Sequence, residues 1–179
     1  MTMSSNKPQQ TEGSTASAYP RGITHIGATV VDIEKAIRWY QEILGFQLLA
    51  GPLNLVADDS HFGQVATDLW GSGFGGGRVA QLAGANGVCL ELFEFNKPAT
   101  AVRENNFEYW KTGMNHFAIV DPAIEDLARR IAETGGKCRT RIWTLFPGKP
   151  YKIVYCEDPF GNVIEIYSHS TERTWSNAL

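Results

Sequence analysis

From Ile23 onward, short β-branched apolar runs alternate with a segment whose apolar residues recur every three or four positions. Residues 23–31 predict a strand. Asp32 then supplies a helix N-cap; Ile33, Ala36, Ile37, Tyr40, Ile43 and Leu44 follow at helical spacing, and Gly45 is a natural stop. Residues 46–50 predict a short strand and 51–77 read as irregular and glycine-rich, whereas 78–82 and 87–95 predict two more strands separated by a turn at Gly84, Asn86 and Gly87. Beyond a linker or short helical piece over 99–111 the order returns. A strand over 116–120 leads to Asp121 as a cap, with Pro122 at the first helical position. Ile124, Leu127, Ala128 and Ile131 form the apolar stripe of a second helix that Gly135 and Gly136 end. Strands over 137–144, 151–157 and 162–167 complete a second β-α-β-β-β unit, with turns at Pro147-Gly148 and at 158–161. The expected class is α+β with two such modules in one chain.

The repeat can be tested residue by residue. Sliding His25 onto His116, a shift of 91, also brings Ile33 onto Ile124, Glu34 onto Glu125, Arg38 onto Arg129 and Gly45 onto Gly136. The module ends correspond as well: GVCLELF from Gly87 matches GNVIEIY from Gly161, which pairs Glu91 with Glu165 at a shift of 74. The first half therefore carries 17 extra residues, placed in the 51–77 stretch. Each module starts with a strand bearing a histidine and ends with a strand bearing a glutamate among apolar neighbours. Strand alternation puts Cys89, Glu91, Phe93 and Phe95 on one side and Leu90 and Leu92 on the other, and likewise separates Val163, Glu165 and Tyr167 from Ile164 and Ile166. A carboxylate in such a setting is costly without compensation. Two neutral imidazoles and two carboxylates carry a charge of −2, which a divalent cation neutralises. One histidine or one glutamate on a strand would ordinarily be structural; the matched repetition is what favours metal ligation by His25, Glu91, His116 and Glu165. His61 and His169, in irregular or polar surroundings, are expected to be solvated.

Composition removes other classes. The 179 residues are 43% hydrophobic and 20% charged, enough to pack one domain or two halves sharing a core. The net charge of −3 argues against a dedicated nucleic-acid binder. No apolar run reaches the roughly 20 residues of a membrane-spanning helix, and residues 1–20 show no apolar core of a secretory signal. Cys89, Cys138 and Cys156 are an odd set without CxxC spacing, which suggests neither a disulfide framework nor a thiolate zinc site. A cytoplasmic protein is expected. Its organisation reads as a disordered arm (1–20), a first module (21–98) with a glycine-rich insertion, a linker (99–112), a second module (113–169) and a polar tail (170–179) in which Trp175 is the one residue to dock. The GSGFGG run from Gly71 fits GxGxxG literally, but no strand precedes it and no helical pattern follows, so a dinucleotide site is not indicated; a flexible flap is the expected role.

The segments ITHIGATVVD (23–32), WYQEILGF (39–46) and DPFGNVIE (158–165) resemble the vicinal oxygen chelate superfamily, which includes glyoxalase I, methylmalonyl-CoA epimerase, extradiol dioxygenases and the fosfomycin- and bleomycin-resistance proteins. The resemblance spans about residues 21–169. It implies paired βαβββ modules forming a curved, partly open mixed sheet around a metal site, with ligands from the first and last strand of each module. His25, Glu91, His116 and Glu165 fall on those positions. It further implies one divalent ion per site (Zn, Ni, Co, Mn or Fe), a small-molecule substrate and a homodimer. Because Glu91 fills a position that the two-His, one-carboxylate members leave without an acid, the likeness is nearest to the four-ligand glyoxalase–epimerase branch. The implied chemistry is a lyase or isomerase reaction in which a glutamate, Glu165 first and Glu91 second, removes a proton next to a carbonyl of a chelated substrate. A ring-cleaving dioxygenase and a non-catalytic binding or resistance protein are the alternatives. Arg78, Trp143, Phe146, Lys152 and Tyr167 are candidates for substrate contact.

Overall fold

A computed structural model describes residues 21–176; the arm expected over residues 1–20 lies outside them. Two mixed, open sheets are built from the two modules. The first has the order β1 (His25–Thr29), β4 (Cys89–Lys97), β3 (Gly76–Ala83), β2 (Gln47–Val56); the second runs β5 (Phe117–Val120), β9 (Val163–Tyr167), β8 (Lys152–Glu157), β6 (Lys137–Cys138), with β7 (Trp143–Thr144) also pairing with β8. In each module the first strand pairs in parallel with the last, and the other pairings are antiparallel. No helix among the described residues is long and apolar enough to cross a membrane.

Helices α1 (Ile33–Leu44) and α3 (Ile124–Glu133) cover one face of the two sheets. α1 forms as its sequence dictates. The Asp32 side chain accepts from the Lys35 N–H at 3.0 Å, Gly45 takes the left-handed conformation (φ 70°) that closes the helix, and Ile33, Ala36, Ile37 and Tyr40 turn inward. One continuous core joins Leu82, Leu90 and Leu92 of the first sheet to Ile164 and Ile166 of the second through α1 and α3. The helices also touch directly: the Trp39 indole N–H donates to Thr134 Oγ1 (3.0 Å), and Arg130 donates to the Glu42 carbonyl (2.7 Å). The Tyr40 hydroxyl crosses between modules to donate to Asp158 Oδ2 at 2.6 Å, and both side chains are buried.

Several expectations are corrected. The 51–77 stretch is not irregular: β2 runs on to Val56, and a further helix, α2 (His61–Trp70), follows, capped by Ser60. Only the turn after α2 is left for a flap. Phe74 is buried there and the Gly75 N–H donates to the Lys97 carbonyl at 2.8 Å, so the turn is tied to the sheet. Asp121 does not cap α3. Its carboxylate accepts from the Ala123 N–H at 2.8 Å in a turn before the helix, and the N-cap position is Ala123, without a side-chain cap. The strand expected over 137–144 is split into β6 and β7. The polar tail contains a short helix, α4 (Thr171–Ser176), whose Thr174 is buried and whose Trp175 meets the Phe146 ring edge-on. His169 is half-buried, packed edge-on against Tyr151 and in contact with Ser168 Oγ, rather than solvated.

Candidate metal centre

The parallel pairing of first and last strand places the candidate ligands. On β1, His25 and Gly27 point to the same side, and Gly27 stands opposite Glu91; on the second sheet Ala118, two residues after His116, stands opposite Glu165. The two modules therefore repeat one register. It brings His25 Nε2 to 3.4 Å from Glu91 Oε2, and His116 Nε2 to 3.2 Å from Glu165 Oε2. Both pairs lie on the sheet faces turned away from α1 and α3. Among the described residues, no three His, Cys, Asp or Glu side chains come together closely enough to hold one ion. Each pair is a candidate half-site.

The ring nitrogens fit a metal. His116 Nδ1 lies 2.5 Å from Asn115 Oδ1, an acceptor, which keeps the proton of a neutral imidazole on Nδ1 and leaves the Nε2 lone pair toward Glu165. His25 Nδ1 lies 3.1 Å from Thr24 Oγ1, a hydroxyl able to donate or accept. A nitrogen lone pair facing a carboxylate oxygen is repulsive unless a cation or a proton stands between them, so the donor set suits a divalent ion.

The two half-sites differ in their surroundings. Glu91 Oε1 accepts from Gln81 Nε2 at 2.6 Å, which fixes that carboxylate in place. Glu165 is only 5% exposed and is ringed by aromatics. Tyr109 stacks on His116 at 5.8 Å between ring centroids, and Tyr155 meets both rings edge-on. Burial, reinforced by the neighbouring Glu165 charge, raises the pKa of Tyr109, and raises that of Tyr155 well above the usual phenol value. Both phenols therefore stay protonated and able to donate. The Tyr109 hydroxyl is buried with no hydrogen-bond partner among the described residues, a donor close to Glu165. Phe107 packs on Tyr109 and beneath the Arg139 guanidinium, 4.2 Å above its ring, so the segment expected to be a mere linker covers the second half-site. β1 and β5, the outer strands of their sheets, flank a polar cleft of about 310 Å³ that His116, Arg103, Asn106 and Asn162 also line.

On the first sheet the face that carries Glu91 continues into an aromatic cluster. Phe93 and Phe95 follow Glu91 at alternate positions, and α2 brings Trp70 within 5.7 and 5.6 Å of their ring centroids; Phe74 closes the group. Beside it lies an apolar cavity of about 590 Å³ lined by Trp70, Gly73, Phe74, Phe95, Lys97 and Pro98. Of the residues expected to contact substrate, Tyr167 alone neighbours a candidate ligand, Glu165. Arg78 instead pairs with Glu94 and Glu34, Lys152 with Glu125, Phe146 with Trp175, and Trp143 lies beneath the Arg141 guanidinium. Tyr109, Tyr155 and Gln81 escaped the sequence reading, because nothing in a single strand or linker shows which ring will stack on a distant histidine.

Comparison with known proteins fits this geometry. A family model described as the Glyoxalase/Bleomycin resistance protein/Dioxygenase superfamily matches residues 22–166. No curated protein matches in sequence. Among solved structures, a glyoxalase family protein from Bacillus cereus is similar at 18% identity and a TM-score of 0.69, covering 85% of this chain and 96% of that one. Glyoxalase I from Zea mays is similar at 22% identity and a TM-score of 0.53, over 83% of this chain and 44% of its own. The fosfomycin resistance protein FosX from Listeria monocytogenes, solved with Mn(II) and a dihydroxypropylphosphonic acid, is similar at 14% identity and a TM-score of 0.55, over 88% of this chain and 99% of its own. At these identities the structural likeness speaks for the fold, and the family model for membership. The repeated modules, the matched His–Glu register and the family model lead to one conclusion: the chain belongs to the glyoxalase/bleomycin resistance protein/dioxygenase superfamily.

Proposed function

We propose that this protein is a divalent-metal-dependent lyase or isomerase of glyoxalase type, acting on a small molecule that chelates through adjacent oxygens. The observation that carries the reading is the repeated His–Glu pair, each imidazole held at Nδ1 and presenting Nε2 to a carboxylate. His25 and Glu91 form one half of the ion's ligand set, and His116 and Glu165 the other. Because no three such groups meet within the described residues of one chain, the reading includes a homodimer in which His25 and Glu91 of one copy and His116 and Glu165 of the other would hold the ion. Exposed apolar side chains on α2 and β2 (Phe62, Val65, Leu69, Leu53 and Val56) supply surface for such an association.

A bound divalent ion would act as a Lewis acid that stabilises negative charge developing beside a carbonyl. The protein's own residues do the rest. Glu165 accepts the proton from the carbon next to the carbonyl: it lies in drier surroundings than Glu91, with the Tyr155 and Tyr167 hydroxyls beside it where Glu91 has the Gln81 amide. Tyr109, stacked on His116 with its hydroxyl unpartnered among the described residues, donates to a substrate oxygen and, with Phe107, keeps bulk water from Glu165. The aromatic cluster beyond Glu91 receives an apolar or aryl substituent of the substrate. Trp70→Ala is therefore expected to raise KM for substrates bearing an aryl group about tenfold while leaving methyl-bearing ones nearly unchanged; steady-state kinetics on the two series checks it.

The test is metal analysis of the purified protein combined with proton exchange. The reading predicts about one Zn, Ni, Co, Mn or Fe ion bound per chain, and entry of solvent deuterium at the carbon next to the carbonyl of hemithioacetal or α-hydroxy-thioester substrates. Iron with oxygen uptake on catechols would replace it by the ring-cleaving alternative. A protein with no affinity for added metal would make it a binding protein.

A further inference from the structure

Cys138 and Cys156 stand directly opposite each other on the antiparallel strands β6 and β8. The Arg139 N–H donates to the Tyr155 carbonyl at 2.8 Å, marking the adjacent pair as hydrogen-bonded. Cys138 and Cys156 therefore occupy a non-hydrogen-bonded position, where Cα atoms approach to about 4.5 Å and side chains lie closest. That spacing is within the range disulfides span, roughly 4.4–6.8 Å. Both side chains point to the α3 face: Cys156 is fully buried in the core there, and the Cys138 thiol lies 3.3 Å from the Ala128 carbonyl of α3. Cys138 is also exposed to solvent. Cys138, exposed as a residue with its thiol against the part-buried Ala128 carbonyl, thus sits beside the fully buried Cys156.

We propose that Cys138 and Cys156 form a peroxide-responsive modification site that closes to a cross-strand disulfide. The Cys138 sulfur attacks one oxygen of hydrogen peroxide, the O–O bond breaks, and the displaced oxygen leaves as water, giving a sulfenic acid. The Cys156 sulfur then displaces the sulfenic hydroxyl, forming the S–S bond; the Cys156 proton leaves with that hydroxyl as a second water. Two thiols and one peroxide become one disulfide and two waters. Burial and the neighbouring Cys138 push the Cys156 thiol up to about 12, so it stays protonated and takes no part until Cys138 has been oxidised. The bond would fasten β6, an edge strand, to β8. Because β8 carries Tyr155 on its other face, and the Arg139 beside Cys138 lies over Phe107, the tether would brace the cover of the second half-site. This inference does not depend on the reaction proposed above. A reducing compartment restricts disulfides to such reversible uses.

The test treats the full chain with one equivalent of hydrogen peroxide, blocks free thiols and maps the peptides by mass spectrometry without reductant. The expected product contains a crosslinked Cys138–Cys156 peptide pair about 2 Da lighter than the two thiol peptides together, and carries an alkylated Cys89. Its thermal midpoint rises by roughly 5 °C, and dithiothreitol reverses the rise. Cys138→Ser abolishes both changes, and Cys89→Ser abolishes neither. Any product in which Cys156 keeps its free thiol, including one with Cys138 carried on to the sulfinic acid, overturns the proposal.

Discussion

Glu165→Gln is expected to lower turnover about 10³-fold or more while the protein keeps its fold. The substitution leaves the side-chain volume unchanged in a position only 5% exposed, so the packing against His116, Tyr155 and Tyr167 survives. What it removes is one of the two negative charges that face the imidazoles, together with the acceptor of the substrate proton. Metal affinity should fall by more than the roughly 10–100-fold typical of losing a ligand's supporting hydrogen bond. Glu91→Gln should lower metal affinity similarly but cost less in turnover at saturating metal, because in the proposed reaction Glu91 would ligate without acting as the base. Titration calorimetry with Mn or Ni, alongside kinetics at saturating metal, separates the two losses. Unchanged turnover in Glu165→Gln would transfer the base to another group.

Asp158→Ala is expected to destabilise the protein by about 3 kcal/mol, roughly 10 °C in thermal midpoint. The Asp158 carboxylate accepts from the Tyr40 hydroxyl, the backbone N–H groups of Phe160 and Asn162, and Asn162 Nδ2. Removing it strands four donors where the DPFG turn of one module meets α1 of the other. Asp158→Asn should cost far less, because its amide oxygen still serves the two backbone N–H groups. The pH dependence carries a definite sign. Burial raises the Asp158 pKa above the ordinary carboxylate value despite these donors, so the folded protein holds that proton more tightly than the unfolded chain. The stability linked to this group is fully present below the unfolded pKa and is lost as pH rises through the folded one. Denaturant titrations of the wild-type protein should show this decline and those of Asp158→Asn should lack it.

The sequence showed most clearly what local physics fixes. α1 was legible because its cap, apolar stripe and terminal glycine all agree. The matched His and Glu positions were legible because the strand period is strict, and the structure returns both pairs in one register. α2 was legible and overlooked: Phe62, Val65, Ala66, Leu69 and Trp70 recur at helical spacing after the Ser60 cap, but Gly63 and the glycines that follow read as a loop, and the stripe faces partly outward, with Gly63 and Ala66 buried. The 137–144 strand was over-read because a run of alternating residues does not show where pairing with β8 lapses. Tyr109 stayed hidden because its value lies in a contact with His116 and Tyr155 that folding alone creates.

The repeated half-sites stand or fall on what they bind together. Crystals grown with manganese or nickel, with anomalous differences recorded at the metal edge, give the direct measurement. The account predicts one ion about 2.0–2.3 Å from His25 Nε2 and a Glu91 oxygen of one chain, and equally close to the partner subunit's His116 and the partner subunit's Glu165. An ion bound to other residues, or crystals soaked in metal in which each imidazole still contacts its own glutamate with no ion between them, would contradict it.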